Sequence, residues 1–205
     1  MTRFGFVINT GRCIGCHTCA NACKMQNNVP MGMLWNRVLT EGSDIIDGAI
    51  GQYPNVSRAY LPVACQHCEN PACLRVCPTG ATYKDEAGRV EIAYDKCIGC
   101  RTCMAACPYN ARVFNWNEPR RDPDFNYGDK DVPVRTKGVV EKCTMCKERT
   151  DRGDEPMCVV CCPTKARIWG DVDDPASDVA RIIREQRTHV LLEEQGTRPQ
   201  VHYQG

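Results

Sequence analysis

The feature that most constrains this chain is the spacing of its cysteines. Residues 97–108 read CIGCRTCMAACP, which places four cysteines within eleven positions and closes on a proline. Three more groups share this layout, in which three cysteines are followed by a fourth after three intervening residues. The groups are Cys13, Cys16, Cys19 and Cys23 (group one); Cys65, Cys68, Cys73 and Cys77 (group two); Cys97, Cys100, Cys103 and Cys107 (group three); and Cys143, Cys146, Cys158 and Cys162 (group four). Of the 17 cysteines, Cys161 is left outside the scheme.

The last spacing in each group indicates what the cysteines bind. Three cysteines at short intervals can curl as a loop around one face of an iron–sulfur cube. A cysteine four positions further along a helical turn is displaced by about 6 Å along the axis, so it points away from that cube. In bacterial ferredoxins this fourth cysteine ligates the other cluster of a pair. Pro78, Pro108 and Pro163 then end the turn, because proline cannot continue the hydrogen-bond ladder. The spacing therefore predicts paired clusters with ligands shared between groups.

Zinc, disulfides and radical chemistry account for the cysteines less well. A zinc site needs four ligands but does not call for the wider last spacing or the proline. A disulfide framework implies an oxidising compartment and usually a secretory signal, and the start MTRFGFVINTGRC has no apolar signal region. The C-x3-C-x2-C spacing of radical S-adenosylmethionine chemistry does not occur in the chain. The repeated pattern favours iron–sulfur clusters.

The net charge and the apolar content bear on two questions, whether the chain binds nucleic acid and whether it inserts into a membrane. The formal net charge is +1 with 25% charged residues, which gives no basis for a nucleic-acid partner. No apolar run approaches the roughly 18 residues that would span a bilayer. We therefore expect no direct membrane insertion, so that any membrane association comes through a partner.

Other chemistry-bearing residues do not form a recognisable substrate site. The chain lacks G-x-S-x-G, G-x-G-x-x-G, P-loop and H-E-x-x-H motifs, so we name no catalytic residue and leave open whether it is an enzyme. His17 and His67 lie inside cysteine groups, but no cysteine is missing there, so we read them as non-ligands. Only Cys162 keeps both the spacing from Cys158 and the following proline, so the ligand is assigned to Cys162 rather than Cys161.

An internal repeat predicts an α+β fold of two nested bacterial-ferredoxin-like modules with insertions. After three of the fourth cysteines the chain reads CPTGATY, CPYNARV and CPTKARI, a turn followed by a short β-prone run. Residues 82–92 predict a hairpin. Groups two and three lie close together and predict an inner module over 60–115. Groups one and four flank it and must meet in an outer module, over 1–59 plus 116–205.

The segments between and after the groups give weaker predictions. Residues 116–137 lack periodicity and predict an exposed loop, either a docking surface or a solvated insertion. Asp174 predicts the cap of a helix that begins at Pro175, with Val179, Ile182 and Ile183 on one side. The tail GTRPQVHYQG has no helical or strand pattern, so it is either frayed or an arm laid across a partner.

The four groups in this order, with C-x2-C-x4-C-x3-C-P second, resemble the four-cluster electron-transfer subunit of complex molybdopterin oxidoreductases. The resemblance covers nearly the whole chain. The stretches GFVINTGRCIGCHTCANACKMQNN and GDVDDPASDV look closest to the polysulfide/thiosulfate and respiratory arsenate reductase branch, with the dimethyl sulfoxide reductase subunits nearby. The resemblance implies a role in an oxidoreductase complex of anaerobic respiration.

The resemblance implies how the ligands are shared. Four [4Fe-4S] clusters are expected, held by Cys13, Cys16, Cys19 and Cys162 (cluster 1); Cys23, Cys143, Cys146 and Cys158 (cluster 2); Cys65, Cys68, Cys73 and Cys107 (cluster 3); and Cys77, Cys97, Cys100 and Cys103 (cluster 4). In the nitrate reductase relative, tryptophan at the position that matches Cys100 leaves a three-iron cluster. Cysteine here implies that all four clusters have four irons.

The resemblance also implies partners and a role. It predicts a large catalytic subunit that carries molybdopterin guanine dinucleotide with molybdenum or tungsten, and an integral membrane quinone-reactive subunit or another electron carrier. The chain would relay electrons between them; a free-standing polyferredoxin that serves several redox enzymes is the alternative. Such complexes can be exported folded on a signal carried by the catalytic subunit. We therefore expect a cytoplasmic protein, or a membrane-associated or periplasmic one placed by co-export.

Overall fold

The computed structural model describes residues 2–119 and 128–205. In this part of the chain, short helices alternate with short strands, which confirms the predicted α+β class. The strands form one three-stranded sheet and four two-stranded ribbons within the described ranges. The sheets stay small because cysteine loops interrupt the chain before strands can lengthen.

The elements follow the chain in this order. The strands are β1 (Phe4–Asn9), β2 (Arg37–Thr40), β3 (Ile50–Gln52), β4 (Asn55–Ser57), β5 (Tyr60–Val63), β6 (Thr82–Lys84), β7 (Val90–Ile92), β8 (Val113–Phe114), β9 (Val140–Glu141), β10 (Arg167–Asp171) and β11 (Val201–Gln204). The helices are α1 (Thr18–Gln26), α2 (Ala72–Arg75), α3 (Thr102–Ala105), α4 (Lys147–Thr150), α5 (Met157–Val160) and α6 (Asp178–Glu185). Helices α2 to α5 span one turn each, too short to be stable without tertiary packing.

Strand β1 joins the two ends of the chain in one sheet. It pairs antiparallel with β10 and parallel with β11, with Phe6 opposite both Trp169 and Val201. Its side chains alternate between the two faces, as strand geometry requires. Val7 packs against α6, while Phe6 and Ile8 face a core that contains Cys19 and Cys158. The sheet thus supports cysteines from groups one and four on the face opposite α6.

The tail corrects the sequence prediction, because its last residues form strand β11. Val201 and Tyr203 are buried, whereas His202 and Gln204 are half-buried, so the run alternates with period two. The Tyr203 hydroxyl also donates a hydrogen bond to the carbonyl oxygen of Pro62 at 2.9 Å. Four residues that follow a proline were too short a run for the alternation to stand out.

Helix α6 also begins later than predicted. Its cap is Ser177, whose Oγ accepts from the Ala180 N–H at 3.1 Å. Asp174 instead accepts from the Ala176 N–H at 2.9 Å and forms a turn ahead of the helix. The competing cap three residues further on therefore sets the start. The apolar face was predicted correctly, because Val179, Ile182 and Ile183 pack with Val7.

The ribbons follow the β-prone stretches of the sequence. The predicted hairpin over 82–92 is confirmed, since β6 and β7 pair antiparallel with Thr82 opposite Ile92. Strand β2 pairs with β5, and β8 pairs with β9. The predicted loop over 116–137 includes residues 120–127, which lie outside the described residues. Its described part is not wholly exposed, because Arg135 is buried and pairs with Glu141 at 3.3 Å.

No helix in residues 2–119 and 128–205 is both long enough and apolar enough to cross a membrane.

Candidate iron–sulfur sites

The loops of groups one and three have the same backbone conformation. Gly15 and Gly99 both have φ of +69°, and His17 and Arg101 follow at +57° and +61°. Successive residues of opposite hand turn their N–H groups toward one concave side, a geometry that occurs at many iron–sulfur sites. A Cβ at Gly99 would lie 2.2 Å from the carbonyl oxygen of Gly138, so only glycine fits that loop without displacement. The backbone thus forms a cradle that suits a negatively charged cluster.

Backbone N–H groups also point at the cysteine sulfurs. The Sγ of Cys77 accepts from the Thr82 N–H at 3.4 Å, and the Sγ of Cys162 accepts from the Ala166 N–H at 3.3 Å. A threonine hydroxyl lies near each sulfur as well, two residues further on in both repeats. Hydrogen bonds of this kind favour a thiolate, the form that binds metal.

Three small cavities are each lined by four or five cysteines that come from more than one group. The first is lined by Cys77, Cys97, Cys100 and Cys103. The second is lined by Cys23, Cys143, Cys146 and Cys158, and also by Cys65 of group two. The third is lined by Cys65, Cys68, Cys73 and Cys107. Among the described residues, no three His, Cys, Asp or Glu side chains converge closely enough to hold a single metal ion.

The side-chain amide of Asn27 lies near two cysteines of the second cavity. The Nδ2 of Asn27 lies 3.6 Å from the Sγ atoms of both Cys23 and Cys146, which come from groups one and four. The pKa of Cys23 is raised well above its ordinary value, first by burial and then by the neighbouring thiols of group four. Helix α1 thus carries the fourth cysteine of group one into the space formed by group four.

The remaining predicted ligand set is that of cluster 1, and two of its members, Cys13 and Cys19, pack in the same core as Phe6 and Ile8 of β1. Burial raises the pKa of Cys13, and Cys19 and Cys162 are close enough to raise it further. Cys161 caps α5 beside them, and its pKa is raised by burial and then by Cys19 and Cys162. Burial also acts to raise the pKa of Cys162, but the hydrogen bonds from Thr164 and Ala166 outweigh it and the pKa is lowered. The two adjacent thiols therefore differ in how readily they ionise.

Comparison with known proteins bears on the same cysteines. A family model described as "4Fe-4S dicluster domain" matches residues 56–121 and 130–172, and one described as "4Fe-4S binding domain" matches residues 6–26. The chain is 55% identical to a protein of Halobacterium salinarum that is named as an iron–sulfur subunit of a dimethyl sulfoxide reductase. The match covers 99% of this chain and 79% of that protein.

Two further relatives match at nearly full length. A subunit of the selenate reductase of Mesobacillus selenatarsenatis is 41% identical over 96% of this chain and 70% of its own. The arsenate respiratory reductase iron–sulfur subunit ArrB of Shewanella sp. strain ANA-3 is 37% identical over 98% of this chain and 95% of its own. The chain belongs to the iron–sulfur subunits of the molybdopterin oxidoreductase family. As such a subunit it carries [4Fe-4S] clusters and transfers electrons.

The exposure of the cysteines in this iron–sulfur subunit varies along the molecule. Cys16 and Cys100 are the two exposed cysteines, and the four cysteines of groups one and four in the second cavity are all buried. Two residues before each exposed cysteine the chain has an exposed isoleucine, Ile14 at 59% and Ile98 at 67%. The tips of the group one and group three loops therefore reach the surface, each with an exposed apolar side chain in the same loop.

Sequence reasoning missed two buried arginines of the iron–sulfur subunit. Arg112 and Arg167 are 3% and 5% exposed, and both lie beside cysteines. They occupy the same place in the repeat, five residues after Cys107 and Cys162 in the stretches CPYNARV and CPTKARI. This shared position could have indicated the two arginines from the sequence, because a residue that recurs at one position of an internal repeat suggests a shared structural role.

The two histidines within the cysteine groups of the subunit have different surroundings. His67 is fully buried, and its Nδ1 accepts from the Val90 N–H at 3.1 Å. Burial, followed by the charges of Lys142 and Arg89, lowers the pKa of His67 well below its ordinary value, so the ring is neutral. His17 precedes α1 in a left-handed conformation.

Proposed function

We propose that this subunit holds four [4Fe-4S] clusters in the ligand sets implied by its family. Cluster 1 has Cys13, Cys16, Cys19 and Cys162; cluster 2 has Cys23, Cys143, Cys146 and Cys158; cluster 3 has Cys65, Cys68, Cys73 and Cys107; and cluster 4 has Cys77, Cys97, Cys100 and Cys103. The observation that carries the proposal is the composition of the cavities. Three cavities contain the full ligand sets of clusters 4, 2 and 3, each set with three cysteines from one group and one from another, and Cys65 of cluster 3 also lines the cavity of cluster 2.

The same arrangement supports two nested ferredoxin-like modules. The outer module comprises residues 1–59 and 116–205, and the sheet of β1, β10 and β11 lies within it. The inner module comprises residues 60–115 and contains the hairpin of β6 and β7. Two ribbons, β2 with β5 and β8 with β9, join strands from the two modules. These ribbons would fix the modules relative to each other, which an electron relay between them requires.

The order of the clusters follows from which cavities share a wall. Cys65 lines both the second and the third cavity, so clusters 2 and 3 are neighbours across the module boundary. Arg112 lines both the first and the third cavity, so clusters 3 and 4 are neighbours. Each bound cluster takes up and releases one electron at a time. Clusters 1 and 2 draw their proposed ligands from the same two groups, one and four, so the proposed path runs in the order 1, 2, 3, 4.

The two ends of this path are the surfaces at which partners would bind. Cys16 and Cys100 are the exposed cysteines of clusters 1 and 4, and Ile14 and Ile98 beside them provide apolar contact area. We assign the cluster 1 end to a large catalytic subunit that carries molybdopterin guanine dinucleotide with molybdenum or tungsten. We assign the cluster 4 end to a membrane quinone-reactive subunit or another electron carrier. One relative is named as the iron–sulfur cluster-binding subunit of a menaquinone reductase of Nitratidesulfovibrio vulgaris.

The location of the complex follows from its partners. The subunit would lie in the cytoplasm, or at the membrane or in the periplasm if the catalytic subunit exports it folded.

A free-standing polyferredoxin that serves several enzymes is the alternative function. The family relationship favours a fixed complex, because the relatives are named as subunits of reductases.

Two measurements test the proposal. Anaerobic purification should yield about sixteen irons and matching sulfide per chain, as four four-iron clusters require, and zinc in place of iron would refute the cluster assignment. Native purification from the source cells should then recover a large partner that contains molybdenum or tungsten. A chain that carries full iron but elutes alone from gently lysed cells would favour the polyferredoxin.

A further inference from the structure

Buried positive charges are unusually frequent in this chain. The buried cations are Arg89, Arg112, Arg135, Lys142 and Arg167. Arg89 forms an ion pair with Asp85 at 2.7 Å. Arg135 pairs with Glu141 at 3.3 Å. In the described ranges, the other three form no ion pair with a carboxylate, although an uncompensated buried charge is strongly destabilising. Glu91 lies close enough to Lys142 for the lysine to act on its pKa, but none of the three cations is paired with a carboxylate among the described residues, so other groups must also compensate Arg112, Lys142 and Arg167.

Arg112 lies between the proposed sites of clusters 3 and 4. Its side chain lines both cavities, and its Nη1 donates to the Oγ1 of Thr82 at 3.2 Å. Its Nη2 is buried and has no hydrogen-bond partner among the described residues. Burial acts to lower the pKa of Arg112, but Cys73 of cluster 3 and Cys103 of cluster 4 outweigh it. The guanidinium therefore lies near cysteines of both sites.

Lys142 lies between the proposed sites of clusters 2 and 3. Its Nζ donates to the carbonyl oxygens of Val90 and Cys143, the latter at 2.8 Å. Cys143 belongs to cluster 2. Burial raises the pKa of Cys65, which belongs to cluster 3, and Lys142 is the strongest opposing influence on it. The ammonium group thus lies at the backbone of a cluster 2 ligand and close enough to a cluster 3 ligand to act on its thiol.

Arg167 lies between the proposed sites of clusters 1 and 2. It lines the cavity of cluster 2, and its Nη1 is 3.9 Å from the Sγ of Cys158. Its Nη2 donates to the Oδ1 of Asn36 at 2.9 Å, which holds the guanidinium in place. Burial acts to lower the pKa of Arg167, but Cys158 of cluster 2 and then Cys19 of cluster 1 outweigh it. Each junction of the path therefore contains one buried cation.

We propose that Arg167, Lys142 and Arg112 are fixed positive charges, one at each junction between consecutive clusters, that set the potentials of the clusters on both sides. The inference rests on the proposed ligand sets. With four thiolates, an oxidised four-iron cluster carries a charge of roughly −2, and reduction adds one more negative charge. Neighbouring clusters repel that added electron, more strongly in a buried site than in water. A cation midway between two clusters favours reduction of either one, so it offsets the repulsion without trapping the electron on one side.

The test is a redox titration of the full-length, cluster-loaded protein followed by electron paramagnetic resonance. Arg112→Met, Lys142→Met and Arg167→Met each remove one charge at similar side-chain volume. Arg112→Met should shift the midpoint potentials of two clusters to more negative values, and Arg167→Met should shift the other two. Lys142→Met should affect one cluster from each of those pairs. The charge-retaining variants Arg112→Lys and Arg167→Lys should stay near the wild-type potentials.

An exposed arginine provides the matched control. Arg75 lies in group two between Cys73 and Cys77 but is solvent-exposed. Arg75→Met removes the same charge near the same clusters, and water should screen it, so its potentials should hardly move. Equal shifts in Arg75→Met and Arg112→Met would overturn the inference, as would full iron with unchanged potentials in the buried variants.

Loss of iron in a variant is also informative. If a methionine variant loses a cluster and the matching lysine variant keeps it, the charge is required at that junction, as we infer. If lysine and methionine variants both lose it, the shape of arginine is what the fold needs and the inference fails. A wild-type protein with fewer than about sixteen irons would instead contradict the ligand sets themselves.

Discussion

Arg112 donates a hydrogen bond from Nη1 to the Oγ1 of Thr82 at 3.2 Å, and the two residues hold equivalent positions in consecutive repeats. Each is five residues beyond the fourth cysteine of its group, Cys77 or Cys107. In the fourth group, the equivalent Arg167 donates its hydrogen bond to the Oδ1 of Asn36 instead. The repeats therefore match in backbone and differ in how each buried polar side chain is satisfied. Because one copy of the motif has the donor Arg112 and the other has the acceptor Thr82, the two equivalent side chains can form a hydrogen bond with each other.

This hydrogen bond gives a first prediction. Thr82→Val keeps the shape of the side chain but removes the acceptor, which leaves a donor of buried Arg112 without its partner. Such a loss costs about 1–3 kcal/mol, a fall of several degrees in the thermal midpoint for a chain of this size. Thr82→Ser keeps the hydroxyl and should remain close to wild type. The measurement is the loss of cluster absorbance on heating, and equal heat resistance in the valine and serine variants would contradict this account.

The second prediction separates close approach from backbone conformation at two glycines. Gly99 and Gly196 have φ of +69° and +63°, so alanine should carry a similar conformational strain of about 1–2 kcal/mol at either site. At Gly99 the new Cβ would also lie 2.2 Å from the Gly138 carbonyl oxygen, whereas nothing lies within 4 Å at Gly196. Gly99→Ala should therefore lose the cluster held by group three, with iron falling by about a quarter. Gly196→Ala should keep all its iron. Equal iron in both variants would show that the loop can relax.

The sequence predicts some parts of this fold better than others for physical reasons. The hairpin over 82–92 and the apolar side of α6 depend on local periodicity, which short windows reveal. Strand β11 pairs with β1 at the other end of the chain. Without knowledge of that partner, the alternating apolar residues Val201 and Tyr203 are too few to indicate a strand. The start of α6 was misplaced because Asp174 and Ser177 are both good caps, and the packing decides between them.

The cysteine sites show the same division. Spacing alone indicates that the fourth cysteine of each group leaves its own loop, and Asn27 between Cys23 and Cys146 shows where one of them goes. The buried cations could not be read from spacing, because burial is a tertiary property. Lys142 looks like any lysine ahead of a cysteine in the sequence, yet it is 1% exposed.

The third prediction concerns pH. Burial raises the pKa of Glu91 from 4.5 to about 7. The folded protein therefore keeps a proton that the unfolded chain releases, so this group stabilises the fold fully below about pH 4.5 and loses that effect as pH rises through 7. Between pH 6 and 8.5 the remaining loss is about 1.4 kcal/mol. The thermal midpoint should fall over this range in the wild type, and less in Glu91→Gln. If the thermal midpoints of both proteins fell equally with pH, a group other than Glu91 would be responsible for the pH dependence.

The fourth prediction concerns the pair of adjacent cysteines at the end of α5. Cys162 accepts the same kind of hydrogen bonds as Cys77, and its pKa is lowered, whereas the pKa of Cys161 is raised by burial and nearby thiols. Cys161→Ser should thus leave the iron content nearly intact, and Cys162→Ser should lose or convert one cluster. Iron analysis of the two variants decides the register of group four. Equal iron loss in both would show that the assignment of Cys162 is wrong.

The last prediction tests the direction of the path through Cys100. This cysteine is exposed, and the Oγ1 of Thr102 donates to its Sγ at 3.4 Å; hydrogen bonds from Thr102 lower the pKa of the thiol. Cys100→Trp replaces a proposed ligand of cluster 4 with a side chain that cannot bind iron, so this cluster should convert to a three-iron form. Because Cys100 lies at the surface, a tryptophan side chain can extend into solvent without displacing the core. The other three clusters should then keep four irons.

A three-iron cluster at this end should have a higher potential than the cluster it replaces and should act as an electron trap. Electron exchange with a quinone or another carrier at the cluster 4 end should slow, while turnover driven by a dye that enters nearer the catalytic subunit should survive. The measurements are iron content, the resonance signal of the three-iron form, and the two rates in the intact complex. Cys161→Ser provides a matched control, since it alters a cysteine assigned to no cluster. If Cys100→Trp keeps all its iron, or loses a cluster bound by group one or group four, the proposed pairing of cysteine groups is wrong.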